Sequence, residues 1–253
     1  MLKSQCFFFF IFLVFFACQK PSDQKKKNLL DKAQETSEEL VVPEIHLQKN
    51  QFMALETDRF KHAMGGKEID ERTSVKLKYD VTYLEIHFKC LDNPRVDQND
   101  LIQDDRGLFK QEVFELFIAA GKEAPENYLE IQINPNQALF LGRVTNRFKS
   151  NRDYHFDSIK AQASGIERMV KKNAEDQSWS GYLKIPWSLI NTELPNQTVF
   201  RLNMFRIISN EDHFEKDWAG KRKNMTYACW SSTMSKKRPN FHHPQYFGYL
   251  YLK

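Results

Sequence analysis

The sequence predicts an all-β fold for residues 41–253: a jelly-roll-type β-sandwich of antiparallel strands with short helical turns. Apolar and polar side chains alternate with a period of two in most segments, which is typical of strands with one buried face. Turn residues separate these short segments, and almost no segment has helical periodicity. Many short strands joined by turns favour a β-sandwich.

A first hairpin is predicted at residues 75–90. Apolar side chains occupy alternate positions in 75–79 and again in 84–90, whereas Glu85, His87 and Lys89 lie between them in the second strand. A turn at 80–82 joins the two strands. One face of this hairpin is therefore expected to point into the core.

Seven further strands are predicted after a long polar loop at 93–107. They lie at 112–119, 128–133, 138–144, 181–185, 199–208, 227–231 and 247–252. The Asn-Pro-Asn-Gln sequence at 134–137 has the turn chemistry of a hairpin connection. Pro186 is expected to open one short helical turn that ends at Ile190, because the missing N–H of proline costs nothing at a helix start.

The N-terminus has the features of an export signal. Lys3 precedes a run without polar side chains at 7–17, which is about half of the roughly 20 residues that a membrane-spanning helix needs. Residues 15–18, Phe-Phe-Ala-Cys, resemble a bacterial lipobox. We therefore expect residues 1–18 to be a lipoprotein signal peptide and Cys18 to be acylated. An uncleaved anchor and cleavage without lipidation are the alternatives.

Residues 19–40 are predicted to form a flexible tether, because they hold too few apolar side chains to offset the entropy of ordering. Residues 41–253 then form the single folded domain. Such a chain is expected in the bacterial cell envelope, attached to the outer membrane by its N-terminal lipid, with the domain in the periplasm or on the cell surface.

Charge and cysteine content narrow the functional classes. The net charge is +4 with both signs interspersed, which gives no argument for a nucleic-acid partner. Beyond Cys18 the chain has two cysteines, Cys90 and Cys229, which form either one disulfide or two separately buried thiols. No Cys/His spacing typical of a structural zinc site occurs.

Seven segments carry a resemblance through their order and spacing. They lie at 83–86, 112–117, 128–135, 179–189, 200–206, 229–231 and 241–248. Together they resemble the family 9 carbohydrate-binding modules and related domains of secreted bacterial polysaccharide-utilisation proteins, from residue 75 to the C-terminus. The resemblance implies a jelly-roll sandwich that holds a sugar between two aromatic side chains, with polar strand residues binding the hydroxyls.

Five site residues follow from matching these motifs. The resemblance implies that Glu115 is the strand glutamate, that Gln132 and Asn134 are the alternating polar pair, and that Phe109 and Trp230 are the two aromatic side chains. Phe109 stands where the family often has tryptophan, and Gln132 stands where an arginine can occur. The implied partner is an oligosaccharide or polysaccharide, with envelope enzymes as possible neighbours.

Each candidate also has a structural interpretation. Trp230 and Phe109 could pack in or over the sandwich, and the alternating polar pair could lie on a plain solvent face. Glu115 sits on an otherwise apolar strand face, so it either faces a ligand or pairs with a buried base such as Arg206. The acidic pair at 104–105, Asp104 and Asp105, could help to hold calcium or could simply be exposed.

Catalysis is not expected from this sequence. It holds no G-x-S-x-G, H-E-x-x-H or phosphate-loop motif, and nothing singles out a pair of glycosidase carboxylates. No cofactor is expected. The alternatives to sugar binding are a structural or adaptor lipoprotein without a ligand, and a haem-binding sandwich that uses Met204 with His87 or His242.

Overall fold

The computed structural model describes residues 41–147, 154–190, 198–212 and 222–253. The predicted signal peptide, Cys18 and the tether lie outside these residues. Within the described ranges, no helix combines the length and apolar character needed to cross a membrane. The described residues form two β-sheets with a few short helical turns.

Fourteen strands and one short α-helix are present in the described residues. They are β1 (Glu44–Leu47), β2 (Met53–Ala54), β3 (Lys61–His62), β4 (Thr73–Tyr79), β5 (Tyr83–Cys90), β6 (Val113–Ala120), β7 (Asn127–Ile133), β8 (Leu139–Asn146), β9 (Tyr154–Ile159), β10 (Glu167–Asn173), β11 (Ser178–Pro186), α1 (Trp187–Ile190), β12 (Val199–Ser209), β13 (Met225–Cys229) and β14 (Gly248–Leu252).

Nine strands form the larger sheet, in the order β1-β14-β12-β6-β7-β8-β9, with β13 beside β12 and β3 beside β13. The smaller sheet has the order β10-β11-β5-β4-β2. The strand pairs within both sheets are antiparallel except β1 with β14, which is parallel. This architecture confirms the predicted β-sandwich.

The main core lies between the two sheets. Phe88 of the smaller sheet stacks on Phe114 of the larger one with ring centroids 4.0 Å apart, and Trp179 meets Phe88 edge-on at 5.1 Å. Gly181 leaves the room for this cluster, because a Cβ atom at that position would lie 2.1 Å from the Phe88 ring. Aromatic packing of this kind adds to the apolar burial that holds the sheets together.

The predicted hairpins occur where the alternation placed them. β4 pairs with β5 around a turn in which Asp80 accepts hydrogen bonds from the backbone N–H groups of Thr82 and Tyr83. β7 pairs with β8 around the predicted Asn-Pro-Asn-Gln turn. The sequence prediction missed β9 and β10 and the short strands β1 to β3.

The two described cysteines are free and buried in different places. Cys90 lies in the core between the sheets, whereas Cys229 belongs to a second apolar cluster. Burial raises the pKa of the Cys90 thiol to about 12. Of the two alternatives, separately buried thiols therefore hold in this structure.

The second apolar cluster covers the outer face of the larger sheet. Residues 239–247, here named the cover segment, place Phe241 and Phe247 on this face. Phe241 stacks on Phe205 at 4.2 Å, and Phe247 meets Tyr128 edge-on at 5.4 Å. The outer face of β6, β7 and β12 is thus buried as well as the inner one, and the site described below lies beside this cover.

Candidate functional site

A cavity of about 390 Å³ opens on the covered outer face of the larger sheet. β6 and β7 form its floor, β8, β9 and β13 contribute walls, and the cover segment closes one side. The lining combines two carboxyl groups with many aromatic rings. The lining residues are Phe109, Lys110, Glu115, Glu130, Gln132, Phe140, Tyr154, Phe156, Ile207, Tyr227, Pro239, Asn240, Phe241 and His242.

Two buried glutamates lie side by side on the cavity floor. In the register of β6 and β7, Glu115 faces Gln132 and Phe117 faces Glu130, so the two carboxyl groups are diagonal neighbours on one face. Gln132 holds this arrangement: its Nε2 donates to Glu130 Oε1 at 2.7 Å, and its Oε1 accepts from the Leu108 backbone N–H at 2.9 Å.

Each glutamate keeps one buried oxygen without a hydrogen-bond partner among the described residues, Oε1 of Glu115 and Oε2 of Glu130. Glu115 is 2 % exposed and Glu130 is 4 % exposed. A buried carboxylate that lacks partners loses most of the solvation it had in water. This pair therefore has unused hydrogen-bonding capacity at the cavity floor.

Burial raises the pKa of both carboxyl groups. Burial raises the pKa of Glu115 well above its ordinary value, and the nearby Glu130 carboxylate raises it further. Burial also raises the pKa of Glu130 to about 7, against the hydrogen bond from Gln132, which lowers it. Two neighbouring carboxyl groups of this kind hold at least one proton between them at neutral pH.

Aromatic rings form the walls above the two glutamates. Phe140 and Phe156 stack in parallel with centroids 4.9 Å apart, and Tyr154 stacks on His242 at 3.9 Å. Phe109 stands at the rim and is 50 % exposed. Flat apolar surfaces beside buried polar groups are what a small, ring-shaped polar ligand requires.

The cover segment is fixed by hydrogen bonds at His242. Its Nδ1 lies 2.7 Å from the Tyr128 hydroxyl, and its carbonyl accepts from Asn146 Nδ2 at 3.0 Å. Burial lowers the pKa of the His242 imidazole to about 3, and His243 lowers it further. His242 is therefore neutral at physiological pH and adds no positive charge to the cavity.

The structure brings three of the five sequence-predicted residues together, because Phe109, Glu115 and Gln132 all line the cavity. Arg206, the suggested partner of Glu115, lies on the other side of the sheet. Its Nε donates to Glu112 Oε1 at 2.8 Å between the two sheets. Glu115 is therefore not neutralised by the base that the sequence offered.

Asn134 does not reach the cavity. It follows the last residue of β7, and its side chain organises the turn and the preceding loop instead. Its Nδ2 donates to Asn99 Oδ1 at 3.0 Å and to the Leu101 carbonyl at 2.6 Å, and its Oδ1 accepts from the Ala138 backbone N–H at 3.0 Å. Both polar atoms of this side chain therefore form hydrogen bonds within the protein, and Asn134 is buried rather than on a solvent face.

Trp230 is also outside the cavity lining. It belongs to the core between the sheets and is 6 % exposed. The indole packs over Gly248, where an added Cβ atom would lie 2.5 Å from the ring. The residue follows β13, and its side chain turns toward the core, which matches the structural interpretation of an aromatic residue in a strand region.

Several lining residues were not predicted from the sequence. Glu130 lies two residues before Gln132, so the period of two already placed it on the same strand face. Tyr154 and Phe156 alternate with polar neighbours in the unpredicted strand β9. That alternation could have identified β9 as a strand from the sequence. The position of His242 in the cavity wall could not be identified in this way, because it depends on how the cover segment folds back over the sheet.

The residues suggested for calcium or haem do not come together in one site. Asp104 Oδ2 accepts from Arg168 Nη2 at 2.6 Å, and Asp105 Oδ1 accepts from the Ala161 backbone N–H at 2.8 Å. Met204 lies in the core between the sheets, whereas His87 and His242 lie on the outer faces of different sheets, so they do not converge on one iron. The described ranges contain no group of three or more His, Cys, Asp or Glu side chains that could hold a metal ion.

No family model matches the chain. The chain is 28 % identical over 149 residues to a protein of the fungus Arthroderma benhamiae named "Extracellular protein", covering 56 % of this chain and 66 % of that one, just under two thirds of its length. Among solved structures, it is similar to a candidate carbohydrate-binding protein from Bacteroides uniformis, with a TM-score of 0.60 and 14 % identity over 84 % of this chain and 100 % of that chain.

A second solved structure has a lower similarity. It is a family 9 carbohydrate-binding module from Caldicellulosiruptor kristjanssonii in complex with cellotriose, with a TM-score of 0.47 and 11 % identity over 83 % of this chain and 94 % of that chain. At these identities, the similarity to the Bacteroides protein shows a common fold and nothing about the ligand.

Proposed function

We propose that this domain is a non-catalytic carbohydrate-binding module, and that the cavity above β6 and β7 binds one or two sugar units of a larger glycan. The observation that carries the proposal is the floor of the cavity, where buried carboxyl oxygens without partners lie beneath aromatic walls. A sugar offers both complements, since its hydroxyl rim satisfies polar groups and its C–H faces pack on flat rings.

Size and chemistry predict modest affinity. A volume of about 390 Å³ is at the small end of ligand sites, which suits one or two sugar rings. Packing each sugar face against an aromatic ring contributes on the order of 1 kcal/mol, and a few hydrogen bonds to charged groups add to this. We expect a dissociation constant of roughly micromolar to millimolar.

The placement of the carboxyl groups argues against glycoside hydrolysis. Hydrolysis of a glycosidic bond uses two carboxyl groups on either side of the scissile bond. Glu115 and Glu130 come from neighbouring strands of one sheet and lie next to each other on the floor. They can hold the hydroxyls on one edge of a sugar, but they do not flank it.

The cellular setting belongs to the same proposal. We propose that residues 1–18 are an export signal with a lipobox, that the domain is held outside the cytoplasm by a lipid anchor at Cys18, and that residues 19–40 are its tether. The name of the fungal relative supports secretion. A domain anchored in this way would hold glycans close to envelope enzymes that degrade them.

The first experiment is a calorimetric titration of the chain carrying Cys18→Ala, which cannot be acylated, with neutral and charged oligosaccharides. We expect saturable binding that is lost in Glu115→Gln and weakened at least fivefold in Gln132→Ala. Glu167→Gln is the matched control, because Glu167 is exposed on the smaller sheet and pairs there with Lys184 at 3.3 Å. Equal binding by the chain and by Glu115→Gln would place the sugar elsewhere, and no binding at millimolar sugar would contradict the proposal.

A further inference from the structure

We propose that the sugar bound in this cavity carries a positive charge, as an amino sugar whose ammonium group bonds to both Glu115 and Glu130. This inference rests on the proposed function and deepens it. The observation behind it is a balance of charge: the cavity floor holds two buried carboxyl groups, and no basic side chain of the described residues forms an ion pair with either of them.

The other titratable groups around the cavity do not supply the missing charge. His242 is neutral, and burial raises the pKa of the Tyr128 and Tyr154 phenols, which keeps both neutral at physiological pH. Among the described residues, Lys110 is the one Lys or Arg in the lining, and it is exposed at the rim. Arg238 lies close enough to Tyr154 to lower that phenol's pKa, but it makes no ion pair with the glutamates.

A buried acidic group without a partner normally marks either a protonated state or a missing cation. In the empty cavity, a proton held between Glu115 and Glu130 reduces their repulsion. A ligand ammonium group can replace that proton, because it donates up to three hydrogen bonds and satisfies the free oxygens of both carboxylates. The exchange conserves charge: the ligand brings one positive charge, and one proton leaves to the buffer.

The walls favour the same ligand. Aromatic ring faces attract cations through their quadrupole, and the attraction grows when the cation is removed from water. Phe156, Tyr154 and Phe109 surround the carboxyl pair from β9 and from the loop before β6. A neutral sugar would gain apolar contact from these rings but no cation–π attraction, so the difference should favour the amino sugar.

The test compares three ligands of the same length on the chain carrying Cys18→Ala: the glucosamine disaccharide, its N-acetylated form and cellobiose. Calorimetry at pH 7 in two buffers of different ionisation enthalpy also counts the protons released. We expect the glucosamine disaccharide to bind at least tenfold more tightly than both neutral disaccharides, with net proton release. Its affinity should fall several-fold at pH 5.5, because a larger fraction of the carboxyl groups is then protonated and the ammonium group must displace more protons.

Variants and a competing ion separate the possible outcomes. Glu130→Gln should abolish the preference for the amine over the two neutral disaccharides, whatever affinity remains for each, and Glu167→Gln should change none of the three affinities. Equal binding of all three ligands without proton release would overturn the inference and leave the proposed function intact. Absence of binding by any of them would contradict both. Saturable binding of calcium chloride that displaces the amine would also overturn the inference, since the missing cation would then be a metal ion.

Discussion

Two buried acidic sites lie on opposite sides of the same sheet and are built in opposite ways. Between the sheets, Glu112 accepts from Trp179 Nε1 at 2.9 Å and from Asn93 Nδ2 at 2.7 Å, and it also pairs with Arg206. On the outer face, Glu115 lies three residues further along and keeps an oxygen without a partner. A fully paired carboxylate serves the fold, whereas an incompletely paired one beside a cavity is available to a ligand.

The largest effect is expected from breaking the ion pair between Glu112 and Arg206. Arg206→Met leaves the Glu112 carboxylate buried without its cation, which typically costs about 3–5 kcal/mol. Arg206 also donates through Nη1 to the carbonyls of Arg72 and Leu91, each at 3.0 Å, so these acceptors lose a donor too. Urea unfolding monitored by circular dichroism measures the loss.

A double variant checks the cause. Glu112→Met with Arg206→Met removes both charges, so it should be less destabilised than the sum of the two single variants. Additive losses would show that packing, rather than the unpaired charge, dominates at this site.

At the Glu115–Glu130 pair, removal of a charge should stabilise the protein rather than destabilise it. Because folding raises the pKa of Glu130 from 4.5 to about 7, the folded state binds more protons than the unfolded state between these values. The stability that this carboxyl group contributes is complete below about pH 4.5 and is lost as the pH rises through about 7. Glu130→Gln should remove this loss and make the protein more stable than the wild type at pH 8, by on the order of 3 kcal/mol.

Urea midpoints at pH 5, 6, 7 and 8 for the wild type and for Glu130→Gln measure the difference. The two curves should approach each other at low pH and separate as the pH rises. Parallel curves would mean that Glu130 titrates normally in the folded protein.

A smaller effect is expected from the aromatic wall. Tyr154→Ala removes a ring face beside the carboxyl pair and should weaken sugar binding about fivefold, which corresponds to about 1 kcal/mol. Tyr154 is 37 % exposed and its ring stacks on His242, so the free energy of unfolding should also fall, by about 1 kcal/mol. Met169→Ala, on the exposed face of the smaller sheet, is the control. A Tyr154→Ala variant with unchanged affinity would remove this ring from the site.

The contrast between the two sites also explains what the sequence could predict. Alternation in β4 to β8 placed the strands and put Glu115 and Gln132 on one face. It could not show that this face is covered, because the cover segment lies about a hundred residues away in the chain. The same uncertainty affected Trp230 and Asn134, whose motif positions fit a ligand but whose side chains are used by the core and by a turn.

The sequence also could not show which buried glutamate pairs with Arg206. Arg206 could reach either side of β6 in principle, and only the register of β12 with β6 decides that it points toward Glu112. The polar edge strand β10 was missed for a related reason. Its sequence, ERMVKKN, has too few apolar positions to indicate a strand without its partner β11.

The smallest effect is expected from a third kind of glutamate, compensated but open to water. On the outer face of the smaller sheet, Lys78, Glu85, Lys184 and Glu167 form one row across four strands, with Lys78 Nζ 3.0 Å from Glu85. The side chain of Glu167 is 59 % exposed and pairs with Lys184 at the edge of this row, so Glu167→Gln should cost less than about 1 kcal/mol and leave sugar binding unchanged. A loss as large as that of Arg206→Met would show that partner loss alone, rather than burial, sets the cost of a glutamate in this fold.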